Sequence, residues 1–480
     1  MKNTAHLIKI PLALLVISGI FLAGCSLAPS PEKIKVPGAR STTFQGDKSK
    51  KKFIGTTWWR EFHDKNLNRQ VEDVLKNAPD AHAVLARLAA FREQAKIAGA
   101  PLLPTVSIDA NGTRSKTNLG TFLPQGGSFT NSSFGLQLSA SYELDVWGKL
   151  RNSEKAARVS LLEAEENRDV VFQTLEANTV DLYAQLSEAR REISLRKEAV
   201  DAAKSLEKSV RAAYLAGTIS SELFLNARQQ LAAQKQALSL TRTRATALEM
   251  SLNALAGREI HTPIVTTAFE HFPSRLAPVP AGLPAELLNR RPDVRSAGLK
   301  VQAALLQVGI ARAALLPSIS LTAQKGYKSN DLSNLVDSGS SVWTLMGGIV
   351  QPLFNRGAKR AAVRQAHRNV EAAIADYKKT ALNAFKEVET ALSSFADTGE
   401  RLELETETLN SEKIKEAQAK AAYLSGTVGI QPFITAHIAY LNRLIVRNQL
   451  ALSMIQNRVR LATALGDGLY STQKNPGESK

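Results

Sequence analysis

One cysteine, Cys25, stands in a chain of 480 residues. No intramolecular disulfide can form, and four Met and seven scattered His assemble no soft-metal cluster. Aromatics are scarce at 6%, which favours long helices packed along small-residue seams over a bulky globular core. The apolar run from Pro11 to Leu22 is too short to span a bilayer comfortably. No glycine-rich phosphate loop and no HExxH is present. Ser205-Leu206-Glu207-Lys208 fits an S-x-x-K pattern, but it lies mid-helix without companion motifs. Acids number 44 against 61 Lys and Arg, and most sit on helices beside a cation, where solvated ion pairs are the default. No convergent site points to an enzyme, a metal or a bound cofactor.

Proline and glycine are missing from two long tracts. Lys149 to Ala213 has neither, and Lys359 to Ala422 has only Gly399. About 65 residues at 1.5 Å each make a rod of roughly 98 Å. Such a rod needs a coiled coil or a helical cylinder around it.

What is present is a duplication. Ala213-Tyr214-Leu215-Ala216-Gly217-Thr218 returns as Ala422-Tyr423-Leu424-Ser425-Gly426-Thr427, 209 residues later. Gly148 and Gly357 share that shift, as do Ala256-Gly257 and Leu465-Gly466. Leu102-Leu103-Pro104 pairs with Leu315-Leu316-Pro317 at 213, a difference that a loop absorbs cheaply. A repeat of this size fixes the architecture before local structure is read.

Trp58-Trp59 and Phe62 mark entry to folded structure, and one helical pattern is expected from Leu67 to Ala98, ended by Gly99 and Pro101. The period then changes to two. Val106, Ile108 and Ala110 alternate with polar residues, a loop is expected from Gly112 to Thr130, and Phe134, Leu136, Leu138, Ala140, Tyr142 and Leu144 line one face of the next strand. Ile319, Leu321 and Ala323, then Trp343, Leu345 and Ile349, copy the pattern. Four strands cannot close a transmembrane barrel, which needs about eight. Either several subunits close it or the strands pack on a soluble core. Each rod ends at the repeated turn, where Gly217 and Gly426 suit a helix C-terminus, and a returning helix follows. Residues 258–284 form a Pro-rich linker.

Lys2 and Lys9 followed by the apolar run and Leu22-Ala23-Gly24-Cys25 resemble the lipobox of bacterial lipoproteins. A short anchor with a chance cysteine is the alternative. The lipobox makes residues 1–24 a signal peptide and Cys25 the lipidated first residue, bearing N-acyl and diacylglycerol chains. Ser26 after it favours sorting to the outer membrane. Formal charge is +17, or +15 once Lys2 and Lys9 leave with the signal. For a secreted lipoprotein this suits an anionic membrane surface or acidic partners rather than nucleic acid.

Trp58-Trp59-x-x-Phe62-x-Asp64-x-x-Leu67, Tyr142-Glu143-Leu144-Asp145-Val146-Trp147-Gly148-Lys149, Arg291-Pro292-Asp293-Val294 and Leu316-Pro317-Ser318-Ile319-Ser320-Leu321 occur in this order within the duplication. Together they resemble the outer membrane factors of the TolC family, close to the OprM/NodT-like lipoproteins of tripartite efflux systems. The resemblance implies a mainly α fold with a membrane β-barrel. In such a homotrimer, four strands per chain build a 12-stranded barrel above a long periplasmic α-helical tunnel. It assigns 25–66 to a lipidated tether and N-terminal segment and 67–257 to the first repeat, with a hairpin at about 105–146. The linker 258–284 joins an equatorial belt, 285–466 is the second repeat with a hairpin at about 318–354, and 467–480 is a polar tail. Loops Gly112–Thr130 and Lys328–Ser340 should face outside.

The resemblance implies further that a periplasmic adaptor docks on the turns Tyr214, Gly217, Thr218 and Tyr423, Gly426, Thr427, linking an inner-membrane pump, of RND type. Related members carry Asp where this chain has Thr435, with Gln431 one turn earlier. The first-repeat counterparts are Asn226 and Glu222. Closure is therefore expected from packing and neutral hydrogen bonds near Tyr423, Gln431 and Thr435, and an acidic ring, if any, from Glu222. The implied function is a passive exit duct for small toxic compounds. A duct for type I protein secretion shares the architecture. A non-conducting periplasmic coiled-coil scaffold would need no amphipathic strands.

Overall fold

The computed structural model describes residues 26–30, 34–37, 57–118, 127–272, 276 and 284–466. Cys25, the signal segment 1–24, the tail 467–480, tether residues 31–33 and 38–56 and linker residues 273–275 and 277–283 lie outside them. The elements are α1 (Lys65–Asn77), α2 (Pro79–Gly99), β1 (Thr105–Asn118), β2 (Ser128–Glu143), α3 (Lys149–Leu215) and α4 (Ser221–Leu255) in the first half. In the second they are α5 (Pro284–Arg290), α6 (Pro292–Ala313), β3 (Ser318–Ser329), β4 (Ser341–Val350), α7 (Ala358–Leu424) and α8 (Ile430–Ala464). Both rods hold 67 residues and both returning helices 35. The positive-φ glycines are Gly148, Gly217, Gly257, Gly357, Gly426 and Gly466, which form three pairs at the 209-residue shift. The duplication is thus structural as well as textual.

Two expectations are corrected. The single helix over Leu67–Ala98 is two helices, broken at Ala78, which is extended at ψ 133. Pro79 disfavours the helical conformation in the residue before it and then opens α2. The loop expected over Gly112–Thr130 is also shorter. Strands continue to Asn118 and resume at Ser128, with Thr117 opposite Phe129, because polar Ser, Thr and Asn extend readily where neither face must be buried.

The chain divides into two compact units. The first draws on the described residues within 1–34, 88–164 and 297–377, and the second on those within 35–87, 165–296 and 378–480. The first unit holds one antiparallel sheet in the order β1-β2-β3-β4. Its register sets Ile108 opposite Leu138, Ala140 opposite Ala323, and Ala323 opposite Leu345. All the alternating apolar residues read from the sequence therefore share one face. That face is uncovered: Ile108 is 73% exposed, Trp343 77% and Ile349 71%. At the strand-to-helix junction, the Asp145 carboxylate accepts from the Leu150 and Arg151 amides, each at 2.9 Å, and so caps α3. Trp147 Nε1–H donates to the Pro317 carbonyl at 2.8 Å.

The second unit holds the main core. Trp58, Trp59, Phe62, Leu67 and Val71 pack with Tyr183, Leu186, Leu252, Phe269, Phe272 and Ile455. Asp64 ties three segments together. It caps α1 through the Asn66 and Leu67 amides, and it accepts from Tyr183 Oη–H at 3.0 Å and from Thr267 Oγ1–H at 2.8 Å. Burial pushes the Tyr183 phenol up to about 12, so it remains a donor. The linker residue Thr267 and the N-terminal segment are thus fastened to α3. Among the described residues, no helix is long and apolar enough to cross a membrane.

Candidate functional site: two repeated helix turns

Each rod ends in the same way. After α3, the Thr218 amide reaches the Ala213 carbonyl at 3.0 Å and the Gly217 amide reaches Tyr214 at 2.9 Å. After α7, the Thr427 amide reaches Ala422 and the Gly426 amide reaches Tyr423, both at 3.0 Å. These are Schellman closures, which place one residue in the left-handed region. Gly217 at φ +70 and Gly426 at φ +73 fill that place, with open space around both. Leu215 and Leu424 project at 74% and 73% exposure. The Thr218 hydroxyl donates to the Ala213 carbonyl at 2.8 Å, while Thr427 shares a 2.9 Å bond with Ser425.

Behind each turn lies an aromatic stack that sequence reading missed. Tyr214 stacks on Phe224 at 5.3 Å and 6°, and Tyr423 on Phe433 at 5.9 Å and 9°. Phe224 and Phe433 are themselves 209 apart, so the repeat carried the signal. The stacks brace each descending rod against its returning helix, worth about 0.5–1.5 kcal/mol beyond area burial. Between the halves, Ala203, Leu206 and Val210 of α3, Ala227 of α4 and Ile434 and Ile438 of α8 form a buried apolar cluster.

The structure does not gather all the expected aperture residues. Tyr423 faces Phe433, whereas Gln431 and Thr435, one helical turn apart, are exposed. Glu222 is exposed in the first turn of α4, which Ser220 caps by accepting from the Leu223 amide. The helix α8 starts at Gly429 without a side-chain cap. Here the halves part: Ser220-Ser221-Glu222 in one, Gly429-Ile430-Gln431-Pro432 in the other.

Farther up α3 lies a group that departs from the expectation of solvated acids. Glu176 and Glu188 are fully buried. Arg244 of α4 stands 3.4 Å from Glu188 and 3.6 Å from Glu192. Burial pushes the Glu188 carboxyl up to about 7; Arg244 opposes the shift and Glu192 adds to it. The carboxyl is thus part-protonated near neutrality. Nothing in the local sequence separates it from its exposed repeat counterpart, Asp397.

In the first unit, the residues directly after Cys25 have a seat. The Ser26 hydroxyl donates to Asn152 Oδ1 at 3.0 Å, and Arg312 donates to the Leu27 carbonyl at 3.4 Å. Ala28 packs against Gly309 so closely that a Cβ there would lie 2.8 Å from it.

The family model described as outer membrane efflux protein matches residues 71–258 and 283–467, one match per repeat. The chain is 30% identical over 416 residues to the pyoverdine export outer membrane protein OpmQ of Pseudomonas putida, covering 86% of this chain and 88% of that one. It is 30% identical over 469 residues to the solvent efflux pump outer membrane protein SrpC of Pseudomonas putida, covering 95% and 98%. The Campylobacter jejuni CmeC outer membrane channel has the same fold, with a TM-score of 0.84 at 27% identity over 93% of this chain and 95% of that one. The chain belongs to the outer membrane efflux protein family, whose members are the outer-membrane channels of efflux systems.

Proposed function

We propose that three copies of this chain close one 12-stranded barrel and continue it inward as a helical tunnel. The chain then acts as a passive exit duct for small toxic compounds. The supporting observation is the sheet. β1 and β4 are its two edges, each hydrogen-bonded to one neighbour, and its apolar face is bare. Open edges beside an exposed apolar face are tolerable only where lipid covers the face and further strands pair the edges. The native mass of the detergent-solubilised full chain tests this. A trimer is expected; a stable monomer would overturn the reading.

Within that reading, Cys25 carries the lipid, and the seat of Ser26 to Ala28 on α3 and α6 holds the acylated end near the strands. Mass spectrometry of the mature protein would find diacylglycerol and N-acyl chains on Cys25, including palmitate. The turns at Tyr214, Gly217 and Thr218 and at Tyr423, Gly426 and Thr427 dock the adaptor, which links an RND-type pump. The projecting Leu215 and Leu424 suit a helical partner. Gln431 and Thr435 line the aperture with Tyr423 packed behind them, and Glu222 supplies the first repeat's charge. If the Gln431→Ala, Thr435→Ala double variant conducts like the parent channel, that aperture assignment fails. The relatives' named cargoes, pyoverdine and solvents, differ, so selection belongs upstream of the duct. No cofactor and no reaction is involved.

A further inference from the structure

His437 is one helical turn below Phe433 on α8, and its two ring nitrogens meet carboxylates from two other helices. Nδ1 is 3.2 Å from Glu416 Oε1 on α7, and Nε2 is 3.4 Å from Glu198 Oε1 on α3. A neutral imidazole has one N–H and one lone pair. It can satisfy one of these acids and must turn a lone pair toward the other. Only the imidazolium donates to both. The arrangement is therefore complete only when both ring nitrogens carry a proton.

Its place makes the reading consequential. Glu416 belongs to the same half as His437, but Glu198 belongs to the other half. Ile434 and Ile438, on either side of His437 in sequence, belong to the apolar cluster that joins α8 to α3 and α4. Glu416 is the sheltered arm, with its side chain 19% exposed; Glu198, at 54%, is the screened one. From its own helix the ring meets Phe433 at 6.0 Å. From α4, Ala227 belongs to the same apolar cluster as Ile434 and Ile438. On the same helices, Arg443 pairs with Glu405 at 3.3 Å, and Arg196 with Glu192 at 3.1 Å and with Asn442. The first-repeat counterpart of His437 is Arg228, which is charged at every relevant pH. The second tip holds a titratable group where the first holds a permanent one.

We propose that His437 is a proton-operated latch between the two halves at the turn end. Protonated, it ties α8 to both α7 and α3 and holds the second hairpin against the first. As pH rises and the proton leaves, the tie to one carboxylate is lost and the hairpin is freer to move. This rests on the reading of the chain as a duct whose turn end opens and closes. The experiment separates the two ideas.

Amide hydrogen exchange of the full-length protein is measured over residues 430–441 at pH 5 and pH 8, corrected for intrinsic rates. Wild type should be protected about tenfold more at pH 5, the scale of one charge-assisted hydrogen bond. His437→Gln should abolish the difference, His437→Arg should keep high protection at both pH values, and Glu416→Gln should shrink it. Arg228→Gln should leave the difference intact, and Glu198→Gln should reduce it less than Glu416→Gln does. Unchanged pH dependence in His437→Gln would overturn the latch. Bilayer conductance of the same proteins is the second readout. Wild type should open several-fold more at pH 8, and His437→Gln should be equally open at both. If exchange responds and no variant conducts, the latch stands and the duct reading falls.

Discussion

The two turn regions share a closure and its immediate side chains and part where the returning helices begin. Both have the same bonded closure, a left-handed glycine, a projecting leucine and a Tyr–Phe stack. Yet one returning helix opens with Ser220 as a cap and an exposed Glu222, and the other opens on Gly429 with Gln431 and Pro432. One rod buries Glu188 completely, whereas its counterpart Asp397 makes an exposed pair with Arg401 at 3.7 Å. The comparison teaches that duplication fixed the scaffold through a few backbone-critical positions. The side chains between them were then free to diverge into unlike roles.

The largest expected break in the symmetry concerns Glu188. Its folded-state value is raised from 4.5 to about 7. Its contribution to stability is therefore fully present below about pH 4.5 and is lost as pH rises through about 7. Glu188→Gln should remove that loss, on the order of 3 kcal/mol per chain at pH 8, and leave stability at pH 4.5 little changed. Asp397→Asn should do nothing comparable. Thermal unfolding across pH 4.5–8 would reveal it; equal behaviour of the two variants would refute the contrast.

A smaller effect tests the sameness. Gly217→Ala and Gly426→Ala meet no steric obstacle, so each should cost only the left-handed backbone penalty, about 1–2 kcal/mol. The two costs should agree within about 0.5 kcal/mol. Unequal costs in denaturant unfolding would mean that the turns are not equivalent scaffolds. Smaller again, Phe224→Leu and Phe433→Leu should each lose roughly 1 kcal/mol of stacking. Only Phe433→Leu should also alter the pH dependence of exchange at α8, because only that ring touches His437. The smallest stability effect belongs to Gln431→Ala with Thr435→Ala, both exposed, expected within about 0.5 kcal/mol. Their signature should be in conductance instead.

Much of this was legible in the sequence, for identifiable reasons. The duplication appeared because glycines in left-handed conformations cannot be replaced cheaply, so the spacing of Gly148, Gly217 and Gly257 survived in Gly357, Gly426 and Gly466. The sheet appeared because a face needing an apolar medium imposes period two, and the strand register placed Ile108, Leu138 and Leu345 on one side as the alternation requires. The break at Pro79 escaped because apolar spacing continued across it, although the proline itself was the signal. The strand ends escaped because Gly112, Thr113 and their neighbours lack alternation when neither face is buried. The burial of Glu188 and the seating of His437 between Glu198 and Glu416 depend on which helices pack together. No local pattern encodes that. The turn positions were found, but their aromatic braces were not, because Phe224 and Phe433 lie outside the copied hexapeptide.

The claim beneath all of these comparisons is that two unlike tips guard one conducting path. Single-channel recording of the purified full-length protein in planar bilayers tests it most directly. Discrete, long-lived conductance steps are the expected result, altered by Gln431→Ala with Thr435→Ala. A folded trimer that inserts and never conducts, at any pH from 5 to 8, would contradict it.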